Sequence, residues 1–258
     1  MNYVKKWACI LFAAAVYLFL YLPILVTVLF SFNASRIPAL PIKAFTFDWY
    51  VKLFQEPKLW LAAKNSLTVS IPAMLLAILV GTTAAFLFQR YKFAGRSFLQ
   101  LSLLLPYILP GIITGIALTL FFKTLQLSAS LFTVTLGHVV IVTPVVMIMV
   151  MDRLKRLDKN LELASMDLGA SPLKTFFYVT LPNIKGALLG GALLGLTVSF
   201  DEIVVTFFLI GTDNTLPMQI WSMIRYGYSP QINAIYSLFI VFSLAVIAFA
   251  GKNVLKKS

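Results

Sequence analysis

Two adjacent acidic residues, Asp201 and Glu202, form the only charged pair inside the long apolar runs of this sequence. A carboxylate near the middle of a membrane costs about 2.5–3.5 kcal/mol on insertion scales, so it requires a basic partner or an aqueous path. Such a pair can bind or steer the cationic groups of a solute. The alternatives are an ion pair with a basic residue of another subunit, or snorkelling towards the outer surface. Neighbouring helical residues diverge by about 100°, so we do not expect both carboxylates to face one cavity.

The rest of the composition argues against covalent chemistry. The chain has one cysteine, Cys9, and one histidine, His138, which cannot together build a zinc, haem or iron–sulfur site. It has no G-x-x-x-x-G-K-[ST] phosphate loop, so we expect no ATP hydrolysis by this chain itself. Of its 258 residues, 60% are hydrophobic and only 12% are charged, against about 25% in soluble domains. The sequence therefore predicts a membrane protein that is not an enzyme and holds no cofactor or metal.

Six uncharged or nearly uncharged runs are long enough to cross a hydrocarbon core, which requires about 20 apolar residues in a helix. They are Trp7–Ser31, Asn65–Phe88, Ser97–Phe122, Leu131–Met151, Gly186–Ile210 and Asn233–Gly251. With both termini in the cytoplasm, 14 of the 21 Lys and Arg residues lie on the cytoplasmic side, which favours this orientation. The net charge of +12 is therefore explained by membrane topology and predicts no nucleic-acid partner. We expect one all-α integral membrane domain over residues 1–258, with six transmembrane helices.

Asp201 follows Gly186 by 15 residues, or about 22 Å at a rise of about 1.5 Å per residue. In a hydrocarbon core of about 30 Å, this depth lies in the outer half. Between the fourth and fifth runs lies a polar segment, residues 152–185. Gly169 permits a sharp turn between two short helices there, and Pro182 suits the first turn of the next span. A segment with this much local order is typical of a contact with a soluble partner.

The polar segment resembles the EAA loop in the permease subunits of bacterial ABC importers of the type I fold. The pattern of that loop is E-A-A-x-x-x-G, then nine residues, then I-x-L-P. Five residues of this sequence are in register with it, namely Ala164, Gly169, Val179, Leu181 and Pro182. The resemblance extends to the number of spans, to the Asn65-Ser66 start of the second, and to two prolines in the third, Pro106 and Pro110.

The sequence departs from the family pattern at two positions. Leu163 stands where the family has its glutamate, with Glu162 one residue earlier, and Ser165 replaces the second alanine. A displacement of one residue turns a helical side chain by about 100°. Either Glu162 contacts the ATPase from a different angle, or it makes no contact with it. The resemblance implies that residues of this segment couple the chain to the ATPase; these are Glu162, Ala164, Asp167, Leu168, Gly169, Ala170 and Pro182.

Two further stretches, Ser199–Thr206 and Leu216–Trp221, resemble the permeases of spermidine/putrescine importers. This resemblance implies a multi-pass protein of the bacterial inner membrane that moves polyamines from periplasm to cytoplasm by alternating access. It implies four kinds of partner: a sister permease, two copies of an ATPase that uses ATP, a periplasmic polyamine-binding protein, and membrane lipid. Asp201 and Glu202 would then lie on the substrate pathway and meet the ammonium groups of the polyamine.

Two alternative functions remain open at this stage. One is the same machine carrying another solute, such as an opine, an iron chelate or a sugar. The other is an ion-coupled carrier with Asp201 or Glu202 as proton site, although such carriers usually show internal repeats and more spans.

The aromatic residues Trp221, Tyr226 and Tyr228, in the outer segment before the sixth run, have two interpretations. They either anchor the chain at the membrane interface or contact the binding protein.

Three other features concern packing. Pro106 and Pro110 predict a bend in the third span, as a fixed kink or as a gate. His138, in the middle of the fourth span, is expected to be a hydrogen-bonded packing residue, with a proton relay as the alternative. Pairs of glycines four residues apart predict close helix contacts within or between subunits. These pairs are Gly111/Gly115, Gly186/Gly190 and Gly191/Gly195.

Overall fold

The computed structural model describes residues 3–37, 39–227 and 229–241 of the chain. Within these residues the fold is all-α, with a single isolated β-bridge between Asn33 and Phe45. The α-helices are α1 (Tyr3–Ser31), α2 (Asp48–Gln55), α3 (Pro57–Arg90), α4 (Arg96–Ile108), α5 (Gly111–Thr124), α6 (Leu131–Arg156), α7 (Lys159–Asp167), α8 (Pro172–Thr175), α9 (Leu181–Asp201), α10 (Val204–Leu209), α11 (Leu216–Tyr226) and α12 (Gln231–Val241). A π helix, Phe176–Thr180, lies between α8 and α9.

Four helices of the described chain are long and apolar enough to cross a membrane: α1, α3, α6 and the continuous helical stretch Pro172–Asp201. The predicted first, second and fourth spans are confirmed as helices, with α3 extending the second to Pro57–Arg90. Most of the predicted span Asn233–Gly251 lies outside the described residues, and its described part belongs to α12.

The predicted third span is not one straight helix. Instead, the helix direction turns by 112° between α4 and α5. Pro106 stays inside α4, whereas the break falls at Leu109 and Pro110, which both have extended ψ angles. A proline disfavours the helical region for the residue before it, and this explains why the break begins at Leu109. The bend that the prolines predicted is present, but it is far sharper than a kink within a span.

The predicted fifth span, Gly186–Ile210, is also broken. Helix α9 ends at Asp201, Glu202 is extended with φ −73° and ψ 115°, and α10 begins at Val204. The expectation of a continuous helix through the acid pair is therefore wrong. The physical reason is local, because the Glu202 carboxylate accepts a hydrogen bond from the backbone N–H of Val205. A side chain that satisfies the first N–H groups of a new helix competes with continuation of the old one.

The chain divides into two compact units, Leu61–Gln219 and, separately, Met1–Trp60 with Ile220–Ser258. In the second of these, the end of α1 is joined to α2. The hydroxyl groups of Ser31 and Tyr50 lie 2.7 Å apart, and the indole N–H of Trp49 donates to the carbonyl of Asn33 at 2.8 Å. In the long apolar helix α1, every side chain from Lys5 to Val26 is exposed.

Helix α6 is the centre of the Leu61–Gln219 unit, where it packs against α4, α5, α9 and α10. Its residues Val142, Val146 and Val150 are fully buried. Glycines of α9 face it closely: Gly191 lies against Val146 and Gly195 against Val142. On α5, Gly111 and Gly115 face Val204 and Phe208 of α10 in the same way. The predicted small-residue contacts are thus made within this chain, except at Gly186, which has no such neighbour.

Candidate functional site

The two acids of the fifth run have different surroundings. Asp201 is the last residue of α9, and its carboxylate is exposed, with no hydrogen bond or ion pair to any described residue. Glu202 is half-buried, and its Oε1 accepts the N–H of Val205 at 2.9 Å. The side chain of Glu202 therefore caps α10, whereas the carboxylate of Asp201 has no polar contact with the described residues.

His138 joins both sides of this break to α6. Its ring is 1% exposed, with Nδ1 lying 2.8 Å from Ser199 Oγ and Nε2 lying 2.8 Å from Thr206 Oγ1. Ser199 belongs to α9 and Thr206 to α10. The expectation of a hydrogen-bonded packing histidine is confirmed.

The hydroxyl groups determine which ring nitrogen carries the proton. Thr206 Oγ1 donates its single proton to the carbonyl of Glu202 at 2.7 Å, so it must accept from His138 Nε2–H. A neutral imidazole then has Nδ1 as an acceptor, which takes the proton of the Ser199 hydroxyl. The order of donors runs from Ser199 through His138 and Thr206 to the carbonyl of Glu202. This series of hydrogen bonds holds Glu202 in its extended conformation.

The far end of α10 is fixed as well. The carbonyl of Leu209 accepts from the backbone N–H of Ser130 at 3.0 Å and from Thr133 Oγ1 at 2.9 Å. Thr119 of α5 donates to the carbonyl of Phe208 at 3.1 Å. With both ends of α10 bonded, the break at Glu202 is a built feature rather than a frayed helix end. Sequence reasoning missed these hydroxyl residues, because an apolar run tolerates hydroxyls and they carry no signal of their own.

The polar segment has the two short helices that Gly169 predicted, α7 and α8. Gly169 has φ +88°, a conformation that costs residues with a Cβ atom about 1–2 kcal/mol. The side chain of Asp158 accepts the N–H of Asn160 at the start of α7, and Ser171 accepts that of Lys174 at the start of α8. Both short helices therefore carry their own N-terminal caps.

The expected position of Pro182 in the first turn of the next span is confirmed, although that helix is continuous with the helical residues before it. The π helix continues directly into α9, and Pro182 lies in the first turn of α9 within one helical stretch, Pro172–Asp201. The N–H of Leu181 donates to the carbonyl of Phe176, five residues earlier. This wider turn directly precedes a proline that has no N–H to donate.

Most of the residues predicted to couple to an ATPase lie on the surface of this segment. Ala164, Asp167, Leu168, Gly169 and Pro182 are exposed, and Ala170 is half-buried. Leu168 is 90% exposed, which is unusual for a leucine outside an apolar span. Leu161, Leu163 and Met166 of the same segment are exposed as well, and a group of exposed apolar side chains is a candidate surface for contact with another protein.

Glu162 differs from these residues because it is buried, with 8% exposure. It forms an ion pair with Arg90, the last residue of α3, with Nε and Oε2 2.8 Å apart. Leu163 is exposed, as expected for a neighbour about 100° round the helix. The assignment of Glu162 to the contact surface is therefore corrected: its carboxylate faces inward. No sequence pattern predicts this ion pair, because a basic residue such as Arg90 at the end of a span is already explained by membrane topology.

The aromatic residues before the sixth run lie partly outside the described residues, since Tyr228 is not described. Trp221 and Tyr226 are on α11, and both reach the surface. The guanidinium of Arg225 lies 5.1 Å from the ring centroid of Trp221 and 5.8 Å from that of Tyr226. A cation over two aromatic rings gives this surface a defined arrangement, which suits a contact with another protein as well as it suits a membrane interface.

Comparisons with known proteins agree with this architecture. The sequence model of the family described as "Binding-protein-dependent transport system inner membrane component" matches residues 73–255. The putrescine transport system permease protein PotI of Escherichia coli is 36% identical over 239 residues, which cover 90% of this chain and 84% of PotI. The spermidine/putrescine transport system permease protein PotC of the same organism is 33% identical over 237 residues, covering 92% of this chain and 89% of PotC.

Among solved structures, a chain of a bacterial ABC transporter involved in the import of the acidic polysaccharide alginate has the same fold. Its TM-score is 0.75 at 14% sequence identity, and the match covers 98% of each chain. At this identity the likeness concerns the fold alone.

Proposed function

Because the chain belongs to the family of binding-protein-dependent transport system inner membrane components, we propose that it is the permease subunit of an ATP-driven importer of polyamines. It is a multi-pass membrane protein and a transport component. The observation that carries the polyamine assignment is the similarity to PotI and PotC, which extends over about nine-tenths of this chain. Spermidine and putrescine are then the substrates, moved from periplasm to cytoplasm.

We further propose six membrane spans in one permease domain, with both termini in the cytoplasm. The bent pair α4 and α5 would form the third span, and α12 would begin the sixth. The distribution of Lys and Arg supports this orientation, which places the polar segment in the cytoplasm and the break at Glu202 in the outer half of the membrane.

In this arrangement Asp201 is the residue that meets the substrate. Its free carboxylate can accept charge-assisted hydrogen bonds from an ammonium group, which are about twice as strong as those between neutral groups. Glu202 acts differently, since its side chain is engaged in capping α10. One free carboxylate neutralises one of the two ammonium groups of putrescine, so the other must be met by a sister permease or by water.

The energy comes from partner subunits. The exposed surface of the polar segment, from Ala164 to Ala170, would dock on one of two ATPase subunits, which bind and hydrolyse ATP. This chain needs no cofactor of its own. A periplasmic polyamine-binding protein would deliver the solute, and Trp221, Tyr226 and Tyr228 are the residues we assign to that contact.

The test is ATP hydrolysis by the complete complex in lipid vesicles, titrated with binding protein that carries spermidine, putrescine or an uncharged solute. We expect stimulation by the two polyamine-loaded forms only. An equal response to every load would leave the importer architecture in place and remove the polyamine assignment. Uptake that persists when the ATPase subunits are omitted would contradict an ATP-driven importer and favour an ion-coupled carrier.

A further inference from the structure

The buried carboxylate of Glu162 receives donors from two distant elements of the chain. Arg90 places its Nε 2.8 Å from Oε2 and donates from Nη2 to Oε1 at 3.0 Å. Thr180, the last residue of the π helix, donates its hydroxyl to the same Oε1 at 2.7 Å. Arg90 and Thr180 are 72 and 18 residues from Glu162 in sequence. One carboxylate on α7 thus joins the end of α3 and the start of α9.

A second ion pair, between Arg156 and Asp152, provides an internal comparison. Its atoms are 2.9 Å apart, but its side chains are 72% and 58% exposed, against 11% for both Arg90 and Glu162. Exposed pairs contribute little, because water and salt screen them. The buried pair has two short contacts, of which the one from Nη2 is a hydrogen bond, and the planar guanidinium fixes the direction of the pair as well as its distance.

Other contacts hold the same elements together. The rings of Phe86 on α3 and Phe176 in the π helix meet edge to face, with centroids 5.4 Å apart. The hydroxyls of Ser165 on α7 and Thr175 on α8 lie 3.1 Å apart. These contacts join α7 to the end of α3 and to the helical residues that lead into α9, and the Arg90–Glu162 pair carries the only charges in the described part of this interface.

We propose that Arg90 and Glu162 are positioning residues that transmit a displacement of α7 to α3 and α9. The proposal rests on the proposed function, since the partner ATPase would produce that displacement. Helix α9 ends at Asp201, so a movement passed to α9 would change the surroundings of the free carboxylate. Neither residue of the pair touches solute or ATP. Their role is to make the contact surface and the substrate helix move together.

The experiment follows one cysteine in the complete complex, in lipid vesicles. Cys9→Ser removes the native thiol and Asp201→Cys places a new one at the end of α9, with the partner subunits free of cysteine. Labelling by a membrane-impermeant thiol reagent is measured without nucleotide and with ATP plus vanadate, and ATP hydrolysis is measured on the same vesicles. Three further substitutions are made in this background, one at a time: Glu162→Gln, Arg90→Met and Arg90→Lys. Arg156→Met, which breaks the exposed pair, is the matched control.

We expect Glu162→Gln and Arg90→Met to reduce the ATP-dependent change in labelling rate about tenfold while ATP hydrolysis per complex persists. Arg90→Lys should fall in between, because lysine keeps the charge and loses the planar guanidinium. The control should retain the full change. If a single variant fails to assemble, Arg90→Met combined with Glu162→Met leaves no buried charge unpaired and should show the same loss.

Two results would overturn the proposal. One is a full labelling change in Glu162→Gln or in the double methionine variant. The other is a proportional fall of labelling change and hydrolysis together, which indicates a role in stability alone. Putrescine uptake by the complex with unmutated Asp201, Arg90 and Glu162 is measured separately. An ATP-dependent labelling change that needs the pair, without putrescine uptake, would support the positioning role and contradict the polyamine assignment.

Discussion

The imidazole Nε2 of His138 lies 2.8 Å from Thr206 Oγ1, across the helix break from its other partner, Ser199. The break thus depends on a buried residue of another helix, α6. A break in a membrane helix exposes backbone groups that lipid cannot satisfy. Thr206 supplies one such partner by donating to the carbonyl of Glu202, and His138 holds the Thr206 hydroxyl in place.

Replacing His138 with alanine should lower the stability of the purified complex. It leaves the hydroxyl of Ser199 without a buried acceptor and that of Thr206 without its donor, at about 1–3 kcal/mol for each unpaired group. Ser199→Ala removes one of the two bonds and should cost less. Thermal unfolding in detergent measures both. Equal stability of His138→Ala and the unmutated protein would show that the bonds do not hold the break.

Asp201→Asn and Glu202→Gln should separate substrate binding from capping. Loss of the free carboxylate at Asp201 removes a charge-assisted contact of about 1.5–3 kcal/mol, which should raise the KM for polyamine uptake about tenfold or more. The amide oxygen of Gln at position 202 can still accept the N–H of Val205, so Glu202→Gln should change the KM little. Uptake of labelled spermidine into vesicles measures both values. A larger effect at Glu202 than at Asp201 would reverse the assignment.

Gly195→Ala should destabilise the contact between α9 and α6. A methyl group at this position would lie 2.6 Å from Cγ1 of the buried Val142. Overpacking of this kind costs about 1–3 kcal/mol. Gly186→Ala, on the same helix with no atom within 4 Å, is the control and should be neutral or stabilising by about 0.5–1 kcal/mol. The two variants are compared by thermal unfolding, and a loss of stability in both alike would contradict the contact.

Gly169→Ala should weaken the turn between α7 and α8 by about 1–2 kcal/mol, since alanine is strained at φ +88°. Nothing lies within 4 Å of the added methyl group, so backbone strain is the only cost. Gly169→Asn is the matched variant, because asparagine tolerates this conformation better. Hydrogen exchange of the backbone amides of residues 165–171 should rise for alanine more than for asparagine. The same rise in both would point to another cause.

The long uncharged runs could be recognised from the sequence because lipid imposes a length and a composition on any spanning helix. Helices α1, α3 and α6 follow that rule. Gly169 could also be assigned to a turn, since the interruption of a polar helical pattern by glycine is a local signal. These features depend on residues close together in the chain.

The breaks and the buried ion pair could not be predicted in this way. The break at Glu202 depends on a hydrogen bond with Val205. It also depends on His138, which precedes Glu202 by 64 residues in the sequence. Pro110 predicts a bend, but the angle of 112° depends on what α5 packs against, which includes α10. Arg90 and Glu162 become partners only once α3 and α7 are side by side. A hydropathy profile contains no information about these contacts between residues that are far apart in the sequence.

The π helix Phe176–Thr180 sets the rotational phase between the polar segment and the membrane helix that follows it. A π turn contains about one residue more than an α turn, and each residue corresponds to about 100° of rotation. If the same five residues were wound as a regular α helix, everything before them would turn by about 100° relative to α9. Glu162 would then leave its place beside Arg90 and Thr180, although no side chain of the three had been changed. The π turn thus takes up one residue while keeping Glu162 beside Arg90, so a single deletion that converts it to an α turn should be better tolerated than an insertion.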